Sequence, residues 1–282
     1  MPPRRRLVEQ PTSRVAVWAR RLAVFAWPVA LLAIIIERAG MLEIVPVLAT
    51  FGAALVFAVA AILFAFVAFA VIWHTGAGGV GRAVTAVMIS LAMLAYPTYL
   101  GIKGYRLPPI SDITTDPIDP PRFETIARLR SRQANPVAYA GLYAAELQRK
   151  AYPDIEPLEV SIPPQAAYEA VRAIIVKRRW QIINERAPLA GRRDGLIEAV
   201  ARTPIMGFRD DVAVRVRTAP DGARIDARSS SRYGRYDFGT NAARLRALLD
   251  DVDDAATVDK TEKPVRPVKT PPPAKPAQGA KR

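Results

Sequence analysis

The chain has 282 residues, 51% of them hydrophobic, with a formal net charge of +14. Between Leu22 and Ile102 the only charged side chains are Glu37, Arg38, Glu43 and Arg82. That segregation of apolar residues into the first third excludes a single soluble globule. The absence of Cys excludes disulfides, cysteine–zinc sites and thiol nucleophiles, and His74 is the one imidazole.

Three spans are predicted, over about 17–36, 46–73 and 83–102. The first has fifteen uncharged residues, Leu22 to Ile36, with Pro28 inside. It reaches the roughly 20 residues a bilayer needs if Val15–Trp18 are helical and Arg20 and Arg21 snorkel to the headgroups. Only Glu37-Arg38-Ala39-Gly40 follows, with no small-residue cleavage pattern, so the segment is read as an uncleaved span. The second is an uncharged run of thirty residues, Ile44 to Trp73, and the third carries Tyr96, Tyr99 and Tyr105 towards its end as interfacial anchors.

Gly76, Gly78 and Gly81, between the second and third spans, satisfy a dinucleotide-binding spacing. An apolar span precedes them in place of a strand, and no Asp or Glu lies between Glu43 and Asp112. They are read as a tight turn at the membrane edge. Basic residues set the orientation. An N-terminus inside leaves seven basic residues on the inner side, counting Arg82, and four on the outer: Arg38, Lys103, Arg106 and Arg122. Residues 103–282 are therefore expected outside the cytoplasm.

After the membrane region, 1–106, residues 107–255 are expected to form a small soluble domain. Five prolines stiffen 107–121. Phe123–Arg132 reads as a short helix. Ala166–Arg178 reads as a longer one, with Ala167, Val171, Ile174 and Ile175 on one face. Trp180–Glu185 and Gly195–Arg202 read as strands. Along Asp211–Arg217, Val212, Val214 and Val216 alternate with Ala213, Arg215 and Arg217, the period of a half-buried strand. Pro220-Asp221-Gly222 turns the chain into a return strand with Ala223, Ile225 and Ala227 on one face. Thr240 or Asn241 then caps a helix carrying Leu245, Leu248, Leu249 and Val252. The fold class is three transmembrane helices followed by an α+β domain, its antiparallel sheet of about four strands covered by helices on one face. Residues 256–282, with six prolines and seven Lys or Arg, read as a disordered basic tail.

Four stretches carry a family resemblance: Ser111-Asp-Ile-Thr-Thr-Asp116 with Asp119-Pro-Pro-Arg-Phe123; Gln148-Arg-Lys-Ala-Tyr-Pro-Asp-Ile155; Gly207-Phe-Arg-Asp-Asp-Val212; and Asp226-Ala-Arg-Ser-Ser-Ser-Arg-Tyr-Gly-Arg-Tyr-Asp-Phe-Gly-Thr-Asn241. Over residues 107–252 the chain resembles the bacterial domain of unknown function 1499 family. Ser111 departs from the family pattern, which favours Asn there. The resemblance implies a proteobacterial envelope setting and no mechanism; together with the basic-residue orientation, the expected location is the inner membrane with a periplasmic C-terminal domain.

The chemistry is narrow. Ser229–Ser231 have no imidazole in their domain for a catalytic triad. Asp112, Asp116 and Asp119, or Asp250 to Asp254, lack the calcium-loop pattern. Asp210 and Asp211 point to opposite faces of one strand. No catalytic, cofactor or metal residues are assigned. The best-defined constellation is Arg228, Arg232 and Arg235 running into Asn241 at a helix start. Arginine forks and free helix amides suit an anion; the alternative is that these arginines pair internally with Asp210, Asp211, Asp226 and Asp237. The expected function is a non-enzymatic binding or interaction module. Its partners would be membrane lipids, other envelope proteins or acidic envelope polymers, and not nucleic acid. An accessory subunit of a transport assembly and an envelope hydrolase are the alternatives.

Overall fold

The computed structural model describes residues 11–189 and 194–262. Arg4–Arg6 of the basic N-terminus and residues 263–282 of the basic tail lie outside the described residues.

Three helices come first: α1 (Arg14–Ala39), α2 (Ile44–Thr75) and α3 (Val80–Arg106). Each is long and apolar enough to cross a membrane. The shortest has 26 residues. At ~1.5 Å per residue it extends ~39 Å, beyond the ~30 Å hydrocarbon core. Their packing inverts that of a soluble bundle. Most buried positions are small: Ala16, Ala19, Ala23, Ala26, Ala30 and Ala33 on α1, and Ala54, Ala58, Ala61, Ala65 and Ala68 on α2, with Glu37, Ile44 and Val47 the larger exceptions near the α1–α2 turn. Spacings of three and four put each set on one helix face, where small side chains let backbones approach. Phe25, Trp27, Leu31, Leu63 and Phe66 point outward.

Gly76 closes α2 with φ of 68°, and Gly79 opens α3 with φ of 124°, so the glycine motif is the α2–α3 turn. The start of α1 is at the same end, with the Ser13 amide donating to the Gly78 carbonyl at 2.9 Å.

The domain then runs β1 (Asp112–Thr114), α4 (Ile126–Leu129), α5 (Gly141–Ala151), β2 (Leu158–Val160), α6 (Pro164–Lys177), β3 (Gln181–Arg186), β4 (Gly195–Arg202), β5 (Arg209–Ala219), β6 (Gly222–Ser231) and α7 (Thr240–Glu262). The six strands make one antiparallel sheet in the order β1-β6-β5-β4-β3, with β2 pairing β6 further along the β1 edge. The alternation along β5 has its expected consequence. Val212, Val214 and Val216, with Ile225 and Ala227, form a core with Val171 and Ile175 of α6 and Leu245, Leu248 and Val252 of α7. Ala213 and Val200 face the other way, against Phe123 and Ile126.

Three features depart from the sequence reading. The sheet has six strands, because the three-residue β1 and β2 are too short to show a period. Helix α5 was not expected. The last helix runs to Glu262, with Ala256 buried, so the stretch read as tail begins as helix.

The domain is seated on the bundle end opposite the glycine turn. Arg38, at the end of α1, donates to the carbonyls of Pro204 and Ile205, the latter at 3.1 Å. Arg202 donates back to the Arg38 carbonyl at 2.9 Å, and Gln133 donates to Glu43. A Cβ on Gly104 of α3 would lie 2.9 Å from the Phe238 ring, which marks how closely helix and domain approach.

Candidate functional site

The sheet face opposite α6 and α7 carries charge, and the segment from Thr115 to Tyr139 covers it. Asp226 is fully buried and receives Arg217 at 2.7 Å, Arg224 at 3.0 Å and Arg215 at 3.2 Å. The same arginines reach Asp116 and Asp119 in the covering segment, Arg224 to Asp116 at 3.1 Å and Arg215 to Asp119 at 2.9 Å. Asp112, Asp116 and Asp119 are thus arginine partners. Among the described residues no group of three or more His, Cys, Asp or Glu is placed to hold a metal. Glu198 is buried and accepts from the amides of Glu124 at 2.7 Å and Thr125 at 2.9 Å, holding the start of α4.

The predicted arginine loop divides in two. Arg228 forks onto Asp112 at 2.6 and 3.0 Å, donates to the Val137 carbonyl at 2.8 Å, and lies over the Phe123 ring at 4.6 Å. Burial pushes the Asp112 carboxyl up, and hydrogen bonding from Arg228 opposes that rise. Beside them the Tyr139 hydroxyl is pushed up to about 12 by burial and then by the Asp112 charge. Arg232 forks onto Oδ1 of Asp211 at 2.7 and 2.9 Å, while Arg130 takes Oδ2 at 2.7 Å. Asp210, on the opposite face, pairs with Arg244 at 2.6 Å.

Asn241 is buried, accepting from Ser229 Oγ at 2.8 Å and donating to Ser231 Oγ and the Ser111 carbonyl, both at 2.9 Å. The cap of α7 is Asp237, in place of Thr240 or Asn241. Its carboxylate accepts from the amides of Gly239 and Asn241, both at 2.9 Å. The amides at the start of α7 that an anion would need are therefore occupied. Burial holds Asp237 above the ordinary carboxylate range despite these two bonds. Arg235 differs from its neighbours: it is exposed, and no carboxylate pairs with it among the described residues.

Arg235 faces a feature that lies between bundle and domain. A cavity of about 360 Å³ is lined by Leu48 of α2 and Tyr96 and Leu100 of α3 on one side, and by Ile205, Phe208, Arg235 and Tyr236 on the other. Tyr236 stacks on Phe238 with ring centroids 6.2 Å apart and forms part of the wall. The structure thus brings one of the four sequence-predicted residues, Arg235, to this cavity. Arg228, Arg232 and Asn241 sit in the interior hydrogen-bonded network. Sequence reasoning missed the Ile205–Phe208 wall. Its signal was available: Pro204-Ile205-Met206-Gly207-Phe208 is apolar in a loop, where solvent contact would favour polar residues.

The family model described as a protein of unknown function (DUF1499) matches residues 112–252. The chain belongs to the DUF1499 family. No curated protein matches it. Among solved structures it is similar to protein NE0264 from Nitrosomonas europaea, at 10% identity over 37% of this chain and 94% of that one, TM-score 0.21. It is similar to SA2116, a protein of unknown function from Staphylococcus aureus, at 10% identity over 38% and 93%, TM-score 0.21. A third similarity is to the di-domain ARO/CYC StfQ from the steffimycin biosynthetic pathway, at 8% identity over 65% and 62%, TM-score 0.26. TM-scores this low carry nothing over to this DUF1499 chain.

Proposed function

We propose that this DUF1499 protein is an integral protein of the bacterial inner membrane. Its three spans hold a non-catalytic binding module at the periplasmic face, and the module's ligand is an amphiphile received between bundle and domain. The observation that carries this reading is the shared cavity. Its walls come from two helices apolar enough to cross a bilayer and from an apolar loop of the domain. A ligand lying there touches membrane and domain together. Leu48, Tyr96, Ile205 and Tyr236 are exposed, a run of apolar and aromatic surface at the level where tyrosines favour the membrane interface. The non-catalytic part rests on the domain's arginines and carboxylates. Arg130, Arg228, Arg232 and Arg244 are committed to Asp112, Asp210 and Asp211, which suits a rigid scaffold better than proton transfer. The orientation rests on the excess of basic residues at the other end.

The test is a photoreactive benzophenone side chain at Ile205 of the full-length protein in its native membrane. Lipid adducts at 205, and none from the same group at the exposed Val176 on α6, are expected. Equal adduct yields at the two positions, or none at 205, would overturn the reading.

A further inference from the structure

The cavity between bundle and domain has two chemically different halves. Its bundle side, Leu48, Tyr96 and Leu100, carries no charge. Its domain side includes two acids, and both are already satisfied: Asp210 by Arg244 at 2.6 Å, Asp237 by the amides of Gly239 and Asn241 at the start of α7, both at 2.9 Å. Of its two cations, Arg209 lies against Gly40 at the end of α1. Arg235 is the exposed one of the two, and no carboxylate pairs with it among the described residues. In a domain that pairs Arg228, Arg232 and Arg244 with nearby acids, this guanidinium lines an apolar cavity with no hydrogen-bond partner among the described residues for its five donors.

We propose that the cavity takes one anionic amphiphile from the surrounding leaflet, with its phosphate or carboxylate on Arg235 and its chain against Leu48, Leu100 and Ile205. This rests on the reading of the cavity as an amphiphile site and adds the charge of the headgroup. About 360 Å³ is near the lower end of ligand pockets, roughly 300–1,000 Å³. That volume encloses a headgroup and the first part of a chain and leaves the rest in the bilayer. A guanidinium fork binds phosphate or carboxylate oxygens in pairs, whereas a zwitterionic headgroup brings its own cation to the same place. Arg20, Arg21 and Arg82 line a groove at the far end of the bundle, so the protein has a second basic region against which selectivity at Arg235 is read.

The chain contains no cysteine, so one introduced at Met206 takes a single fluorophore. The full-length protein is placed in phosphatidylcholine nanodiscs. Quenching is titrated with brominated phosphatidylglycerol or brominated phosphatidylcholine. Half-maximal quenching is expected at about five-fold lower mole fraction of the anionic lipid, the preference one basic side chain gives near a membrane surface. Arg235→Gln abolishes the preference and keeps the quenching. Arg235→Lys retains most of the preference, and Arg82→Gln leaves it unchanged. Equal quenching by both lipids in the parent overturns the headgroup assignment while leaving the amphiphile site standing. No quenching by either overturns both. Inorganic phosphate that displaces the anionic lipid's excess quenching at millimolar concentration would show a site for the free anion, and would overturn the amphiphilic half of the proposal.

Discussion

Asp211 and Arg232 are joined by a two-pronged contact at 2.7 and 2.9 Å inside the domain, with the Asp211 side chain fully buried. The second oxygen of Asp211 is held by Arg130 at 2.7 Å. Removing either arginine leaves a buried charge half-paired, which costs far more than an exposed ion pair contributes. Arg232→Ala is therefore expected to destabilise the full-length protein in detergent by about 1–3 kcal/mol. Phosphate at fixed ionic strength should leave that loss unchanged. An unchanged melting temperature in the variant would mean Arg232 serves a ligand and not the fold.

The carboxylates of the domain titrate in opposite senses. Burial pushes Asp116 up, but the amides of Asp119 and Ile118 and the charges of Arg224 and Arg217 outweigh it and leave it below its ordinary 3.8. Its contribution to stability is present above 3.8 and is lost as pH falls through the lowered value. Asp237 is raised, so its contribution is present below 3.8 and is lost as pH rises through the raised value. Asp116→Asn should cost about 1–2 kcal/mol at neutral pH and progressively less in acid. The cost of Asp237→Asn should shrink in the other direction, as pH rises. Chemical denaturation of both variants from pH 3 to 7 checks the signs, and parallel profiles would contradict them.

Gln148 takes the place of a missing strand. Strand β1 pairs with β6 on one side; on its free edge the Gln148 amide accepts from the Thr114 amide at 3.0 Å and donates to the Thr114 carbonyl at 2.6 Å. Gln148→Leu keeps the volume and leaves two buried backbone groups unpaired. A loss of about 2–6 kcal/mol in melting experiments is expected, at ~1–3 kcal/mol per group. A loss under ~1 kcal/mol would show that water reaches the edge.

What the sequence made legible was whatever repeats. Val212, Val214 and Val216 alternate along one strand, and the outward pointing of Arg215 and Arg217 followed from that period. The final helix was readable from Leu245 to Val252, but its cap was not. Asp237 reaches forward past Phe238, which has a positive φ of 51°, to the amides of Gly239 and Asn241, and no spacing rule anticipates that path. Helix α5 escaped because only Ala144 and Gln148 of its eleven residues are buried, and one of those is polar. The alanine faces of α1 and α2 were in plain view, yet they register as generic apolar content until helix packing gives small residues a meaning. The cavity was illegible because its walls lie more than a hundred residues apart in the chain. Among the arginines, sequence order put Arg228, Arg232 and Arg235 in one loop, and only the fold separates two that are buried from one that is not.

The most direct measurement of the account is topology. Three spans with the domain on their outer end require that a reporter fused after Arg282 be periplasmic and one inserted at Gly79, in the α2–α3 turn, be cytoplasmic. Alkaline phosphatase activity at Arg282 with none at Gly79, and the reverse for a fluorescent reporter that folds only in the cytoplasm, is the expected result. A cytoplasmic reading at Arg282 would place the domain and its cavity on the other face, and would contradict the account at its base.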